Sequence, residues 1–247
     1  MNSSLWVAKT GLDAQQTRMQ VVSNNLANAN TVGFQSDFEM ARGYENTQAV
    51  GFKTRVNSVT EHPATDFNRG VLIETGRELD MAVKGDGWIA VQAKDGTEGF
   101  SRAGQLHISP EGQLMTGNNL PVLGNGGPIA IPEADRILIG GDGTITIQPR
   151  GQGAEQLSVI DRIKLVSPAY QDLYKADDGL VRRRDGQEQQ PDAALAVQSG
   201  FLESSNVSAV DELVNIMSLS RQYELNVTMM KTMDDNASAA STVLRDS

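Results

Sequence analysis

Residues 4–29 read SLWVAKTGLDAQQTRMQVVSNNLANA, and the spacing of their apolar side chains decides the fold. Apolar residues recur at alternating steps of three and four, with Gln15 as a polar residue inside the series. This spacing is typical of a coiled-coil seam. It predicts a helix over 3–29, roughly 40 Å long, whose narrow apolar stripe needs a partner. The same stripe is compatible with an amphipathic helix that packs onto its own domain.

The opposite face of this predicted helix is polar but carries little charge. Its side chains are mostly neutral amides and hydroxyls, such as Gln16, Gln20 and Asn24. Solvated helix faces usually carry more charge. Neutral groups can be crowded by neighbours without burying a charge, so this face favours contact with further helices.

The C-terminal segment predicts a second helix. The sequence SAVD at 208–211 fits a capping box, in which the Ser208 side chain accepts a free backbone N–H and Asp211 favours the positive helix end. A second heptad series follows and suits the first as a partner. Together the two predicted seams comprise Leu5, Leu12, Met19, Val22 and Leu26 with Leu213, Ile216, Tyr223, Val227 and Met230.

The middle of the chain has the pattern of β-hairpins. Short apolar runs at 88–91, 105–108, 136–139 and 144–147 are separated by turn residues. Asp-Gly pairs at 86–87, 95–96, 142–143, 178–179 and 185–186 supply the positive φ of tight turns. The sequence therefore predicts an antiparallel β domain between the two helices.

We predict an α+β fold in which N- and C-terminal helices pair as a coiled coil and bracket a mainly antiparallel β domain. The expected boundaries are 1–33 for the first helix, 34–76 for an extended linker with a small β region, 77–200 for a β-rich outer domain and 205–247 for the second helix.

Composition excludes several classes of protein. The formal charge of −10 disfavours a nucleic-acid groove, which needs clustered Lys and Arg. The absence of cysteine removes disulfides, thiolate metal sites and thiol nucleophiles. The first residues lack the basic and apolar regions of a secretory signal, and no window has the length and apolarity of a membrane span.

Catalytic motifs are missing as well. His62 and His107 lie outside any H-E-x-x-H pattern, and neither a nucleophile elbow nor a phosphate-binding loop occurs. The enzyme alternative is a glycosidase that pairs Glu98 with Asp86 or Asp95. These acids neighbour turn glycines, where Asp is favoured for turn geometry. We therefore expect no catalytic residue, no cofactor and no metal ion.

Two long motifs resemble the flagellar rod and hook family. The first is SNNLANANTVGF at 23–34; the second is GFLESSNV at 200–207, followed by DELVNI at 211–216 and RQYEL at 221–225. Asn30 and Gly33 suit the end of a helix because both tolerate the left-handed conformation. The motif residues that carry the resemblance are Ser23, Asn24, Asn25, Leu26, Ala27, Asn28, Gly33, Phe34, Ser205, Asn206 and Val207.

The middle of the chain indicates which members of that family it resembles most. The segments TGRELDMAVKGDGWI at 75–89, GNGGPI at 124–129 and DRIKL at 161–165 resemble the proximal-rod members. Residues 1–33, and SSLWVAKTGLDAQQ at 3–16 in particular, look closer to the distal-rod members. A proximal-rod subunit is the favoured interpretation, and a distal-rod subunit is the alternative.

The resemblance implies a structural subunit of the bacterial flagellar basal body, exported through the flagellar type III apparatus without a cleavable signal. Its partners would be other rod subunits and copies of itself, with no nucleic acid, membrane insertion or small-molecule substrate. The subunit would help to transmit torque from motor to hook and to surround the export channel. A self-contained binding module remains a further alternative.

Overall fold

The computed structural model describes residues 2–39, 41–45, 56–60, 64–151 and 156–245. The chain divides into two compact units. The helical unit comprises 1–29, 36–66 and 207–247, and the β unit comprises 30–35 and 67–206. The two chain ends therefore belong to one unit, and the β unit is built from the sequence between them.

Two long helices dominate the helical unit. Helix α1 spans Asn2–Ala27 and helix α2 spans Ala209–Arg245. The predicted cap of α2 is confirmed, because the Asp211 N–H donates to Ser208 Oγ at 3.4 Å. The helices contact each other, which confirms the predicted pairing and the α+β class. They run antiparallel, since Gln15 contacts Asn226 whereas Asn25 contacts Glu212.

Short strands complete the helical unit. Strands β1 (Asp37–Phe38) and β4 (Ala64–Thr65) form one antiparallel pair. Strands β2 (Ala41–Glu45) and β3 (Val56–Thr60) form another, and β3 lies against α1.

The β unit contains the remaining strands, all paired antiparallel. They are β5 Leu72–Glu74, β6 Met81–Lys84, β7 Trp88–Gln92, β8 Glu98–Ser101, β9 Leu106–Ile108, β10 Leu114–Thr116, β11 Ala134–Ile139, β12 Thr144–Pro149, β13 Ser158–Arg162, β14 Leu165–Val166, β15 Leu173–Lys175, β16 Val181–Arg183, β17 Ala196–Ser199 and β18 Phe201–Glu203. The largest sheet has the order β14-β7-β8-β16-β15, and a second has the order β11-β12-β13. The pairs β9–β10, β6–β17 and β5–β18 complete the unit.

The largest sheet is buried on both faces. Alternate residues of a strand point to opposite faces, and Ile89 joins the larger apolar cluster while Trp88 joins the smaller one with Phe100. Leu165 likewise joins the larger cluster, and Val166 joins the smaller one. This arrangement explains why β7 reads as a continuous apolar run rather than as an alternating one.

The Asp-Gly turns follow the prediction at four of the five positions. Gly96, Gly143, Gly179 and Gly186 all have positive φ. The pair at 86–87 differs, because the positive φ lies one residue earlier, at Gly85.

Truncating Ile147 tests the core of the β unit. Ile147 is 1% exposed, so Ile147→Ala should lower the free energy of unfolding by about 2–5 kcal/mol. The matched control is Val159→Ala on the neighbouring strand, where the side chain is 66% exposed and the change should be within about 0.5 kcal/mol. Urea unfolding followed by Trp88 fluorescence in a Trp6→Phe background measures both. Equal losses would contradict the assigned core.

Candidate functional site: an assembly interface

A polar contact between Gln15 and Asn226 holds α1 and α2 in one register. Gln15 Nε2 donates to the Leu219 carbonyl at 2.7 Å, and Asn226 Nδ2 donates to Gln15 Oε1 at 2.8 Å. Gln15 is buried at 8% exposure, so both ends of its amide need partners. A polar pair at a coiled-coil core position specifies register at some cost in stability.

A second polar contact lies near the C-terminal end of α1 and the N-terminal end of α2. Asn25 is 3% exposed; its Nδ2 donates to the Asp37 carbonyl at 2.8 Å and to Glu212 Oε1 at 3.1 Å. Its Oδ1 accepts the Asp37 N–H at 3.0 Å. One side chain thus joins α1, β1 and α2.

Within the single chain the predicted seam is unevenly buried. Val22 is buried, and five others are half-buried: Leu12, Met19, Leu26, Ile216 and Met230. The Leu5 side chain lies outside the described residues. Leu213, Tyr223 and Val227 are exposed. The hydrogen bonds to α1 described above involve Glu212, the Leu219 carbonyl and Asn226, none of which is a predicted seam residue.

Helix α2 also carries a second apolar stripe, which the sequence analysis missed. Val210, Leu213, Val214 and Met217 recur at steps of three or four and are each at least half exposed. Glu212 and Leu219, which hydrogen-bond to α1, lie on the other side of the helix. The heptad spacing indicates a single stripe that includes Leu213, so it does not reveal the wider apolar surface.

The N-terminal family motif is divided between the two units. Ser23, Asn24 and Ala27 are exposed on α1, and Asn28 Nδ2 donates to the Asn24 carbonyl at 2.9 Å. Gly33 and Phe34 belong to the β unit. Helix α1 ends at Ala27, so Gly33, with φ of 66°, acts beyond the helix rather than as its stop.

The C-terminal family motif meets Phe34 in the β unit. The Asn206 N–H donates to the Phe34 carbonyl at 3.3 Å, and Asn206 Nδ2 donates to the Asn68 carbonyl at 3.0 Å. Lys175 Nζ lies 4.1 Å from the centre of the Phe34 ring. Ser205 is buried in this unit, whereas Val207 is the first residue of the helical unit after it.

The carboxylates considered for catalysis have structural partners. Glu98 pairs with Lys164 Nζ at 2.7 Å and accepts the Gln189 N–H at 2.9 Å. The Thr97 hydroxyl and N–H lower the pKa of Asp95, whereas a glycosidase acid needs a raised pKa.

Only one of the two histidines lies in the described part of the chain. His107 lies in β9 opposite Met115, and His62 lies outside the described residues. Within the described ranges, His, Asp and Glu form no group of three that could hold a metal ion. Neither helix, over its described residues, has a stretch apolar enough to cross a membrane.

Three family models match the chain in order. "Flagella basal body rod protein" matches residues 5–35, "Flagellar hook protein FlgE/F/G D1 domain" matches 82–147, and "Flagellar basal body rod FlgEFG protein C-terminal" matches 198–243. The first and last cover both motifs described above.

Full-length relatives agree with the models. The chain is 34% identical to flagellar basal-body rod protein FlgF of Escherichia coli and 33% identical to that of Salmonella typhimurium, in each case over 99% of both chains. It is also 31% identical to flagellar basal-body rod protein FlgG of Agrobacterium fabrum, over 98% of this chain and 99% of that protein.

Replacing Asn25 tests the polar contact between the helices. Asn25→Ala removes three hydrogen bonds that a buried side chain makes to half-buried partners, so the helical unit should lose about 1–3 kcal/mol. Hydrogen exchange of the α1 and α2 amides measures this loss. Asn24→Ala, at the exposed neighbouring position, is the control and should leave exchange unchanged. If both variants exchanged alike, Asn25 would not hold the helices together.

Proposed function

Because the chain belongs to the family of the flagellar basal-body rod protein FlgF and is a structural subunit of that rod, we propose that its paired terminal helices assemble with other rod subunits. In this proposal Leu5, Leu12, Met19, Val22 and Leu26 form the α1 side of the seam. The α2 side comprises Leu213, Ile216, Tyr223, Val227 and Met230, and in this proposal the seam residues also meet neighbouring subunits.

The observation that carries the proposal is the exposed apolar stripe of α2. Val210, Val214 and Met217 are exposed by 70%, 55% and 65% on the side away from Leu219, which is buried at 5%. A helix with apolar residues on two sides needs more than one partner. Helix α1 covers one side, and we assign the other to helices of neighbouring subunits.

The neutral face of α1 supports the same arrangement. Between Lys9 and Asn28 its exposed or half-buried polar residues are mostly amides and hydroxyls. Contact with a neighbouring helix would therefore bury few charges without partners. Amides and hydroxyls do not need a group of opposite charge across the contact. Several similar but non-identical subunits can therefore contact the same face.

We assign the outward position in the rod to the domain at 77–200. Its largest sheet is covered on both faces by side chains of the β unit, Phe67 among them, so it needs no neighbouring subunit to complete its core. The rod would transmit torque through its helices and enclose an export channel. Export through the type III apparatus is compatible with a chain that has no cysteine to form an obstructing disulfide.

Two charge substitutions separate pairing within a subunit from contact between subunits. Leu12→Asp places a carboxylate in the half-buried seam and should disrupt both helix pairing and rod assembly. Val214→Asp places the same charge on the exposed stripe, so the monomer should fold normally and only assembly should fail. Hydrogen exchange reports on pairing, and rod formation with swimming reports on assembly.

Gln222→Glu is the matched control for Val214→Asp. Gln222 is an exposed polar residue of α2 that lies away from the stripe, so the added charge should have much less effect on assembly. Rods that form normally with Val214→Asp would contradict the role of the stripe.

A chain without residues 1–30 should neither be exported nor assemble, whereas a self-contained binding module would keep its activity.

A further inference from the structure

The β unit holds the two segments that lead into the helices side by side. Residues 30–35 follow α1, and residues 200–206 precede α2. The Gly33 N–H donates to the Glu203 carbonyl at 2.8 Å, and the Asn206 N–H donates to the Phe34 carbonyl. All four residues belong to the β unit, so its fold alone brings these segments together.

A buried ion pair holds the second of these segments to the rest of the β unit. Arg102 Nη1 lies 2.9 Å from Glu203 Oε2, and the two side chains are exposed by only 0% and 3%. The Arg102 guanidinium also donates from Nη2 to the Gly85 carbonyl at 3.1 Å and lies 5.0 Å from the centre of the Trp88 ring. Glu203 Oε1 accepts the Gly70 N–H at 3.1 Å. A buried pair with this many partners holds its groups in one geometry.

Gly33 lies directly against the backbone of Arg102. A Cβ on Gly33 would come within 2.3 Å of the Arg102 carbonyl carbon, a distance that no side chain can adopt. The first segment is therefore packed onto the ion-pair residue as closely as two backbones can approach. We name Gly33, Arg102 and Glu203 the crossing clasp.

We propose that the crossing clasp starts α1 and α2 in the correct register, which the contact of Gln15 with Asn226 then holds, before any neighbouring subunit is met. A heptad seam repeats itself, so two helices can slip by seven residues and still match apolar positions. A fixed starting point removes this ambiguity. Two residues separate Ala27 from residue 30, and two separate Asn206 from Ala209, so the clasp anchors both helices within a short length of chain.

The same tether raises the rate of pairing. Holding two segments at one point makes their association intramolecular at a high effective concentration, which falls as the tether lengthens. Without the clasp, the helices would be joined through looser segments. This role belongs to the isolated subunit and does not depend on what the helices contact in the rod.

Cross-linking in the full-length monomer tests the proposal. The chain has no native cysteine, so Gln15→Cys with Asn226→Cys reports on the observed register, and Gln15→Cys with Met233→Cys reports on a slip of seven residues. A short bis-maleimide is added to dilute protein. Gly33→Ala should slow the first reaction about tenfold and raise the share of the second.

Gly186→Ala is the matched control. Gly186 has φ of 67°, close to the 66° of Gly33, but a Cβ there would meet no atom within 4 Å. Both variants thus carry the same backbone strain, and only one disturbs the clasp. Thermal unfolding of the β unit, followed by Trp88 fluorescence with Trp6→Phe, shows whether it remains folded.

Equal cross-linking in the two glycine variants, with a folded β unit, would overturn the proposal. If Gly33→Ala unfolded the β unit, the deciding variant would be Arg102→Met with Glu203→Leu, which replaces the ion pair by apolar groups of similar volume. Slower and less specific cross-linking in that variant, with the β unit intact, supports the clasp, and an unchanged rate and register overturn it. Loss of rod assembly with normal cross-linking would contradict the proposed function instead.

Discussion

The antiparallel pairing of α1 with α2 is the interaction on which the rest of the structure depends. Because the pair joins the first and last segments of the chain, everything between them must leave the helices and return to them. The polar contacts of Gln15 with Asn226 and of Asn25 with Glu212 occupy places that apolar side chains would fill. They lower the apolar area buried in the seam and provide one defined register in exchange.

The pair is incomplete by itself. Apolar side chains surround more of α2 than α1 can cover, and α2 has 37 residues against 26 in α1. An independent coiled coil would concentrate its apolar residues in one seam. A subunit whose surface must match different surfaces on its neighbours needs apolar groups on several sides, and contacts of this heterologous kind extend into open assemblies.

The sequence predicted the elements better than it predicted their contacts. Both helices, the Ser208 cap and most hairpin turns depend on neighbouring residues, and local patterns determine them. The residues of α2 that hydrogen-bond to α1 lie outside its predicted apolar series, because Gln15 and Asn25 donate to the Leu219 carbonyl and to Glu212. Arg102 was not identified, since its partner Glu203 lies 101 residues away and no periodicity connects them. Gly33 was identified, but its close approach to Arg102 depends on the tertiary fold.

The chemistry of Asn25 explains why an amide, and not a carboxylate, occupies this buried position of the family motif. Its oxygen accepts the Asp37 N–H, while its nitrogen donates to the Asp37 carbonyl and to Glu212. An ionised Asp of the same shape could only accept, so the Asp37 carbonyl would lose its donor and two carboxylates would face each other. A Leu would satisfy neither backbone group. Only a side chain that both donates and accepts can join α1, β1 and α2 at one buried point.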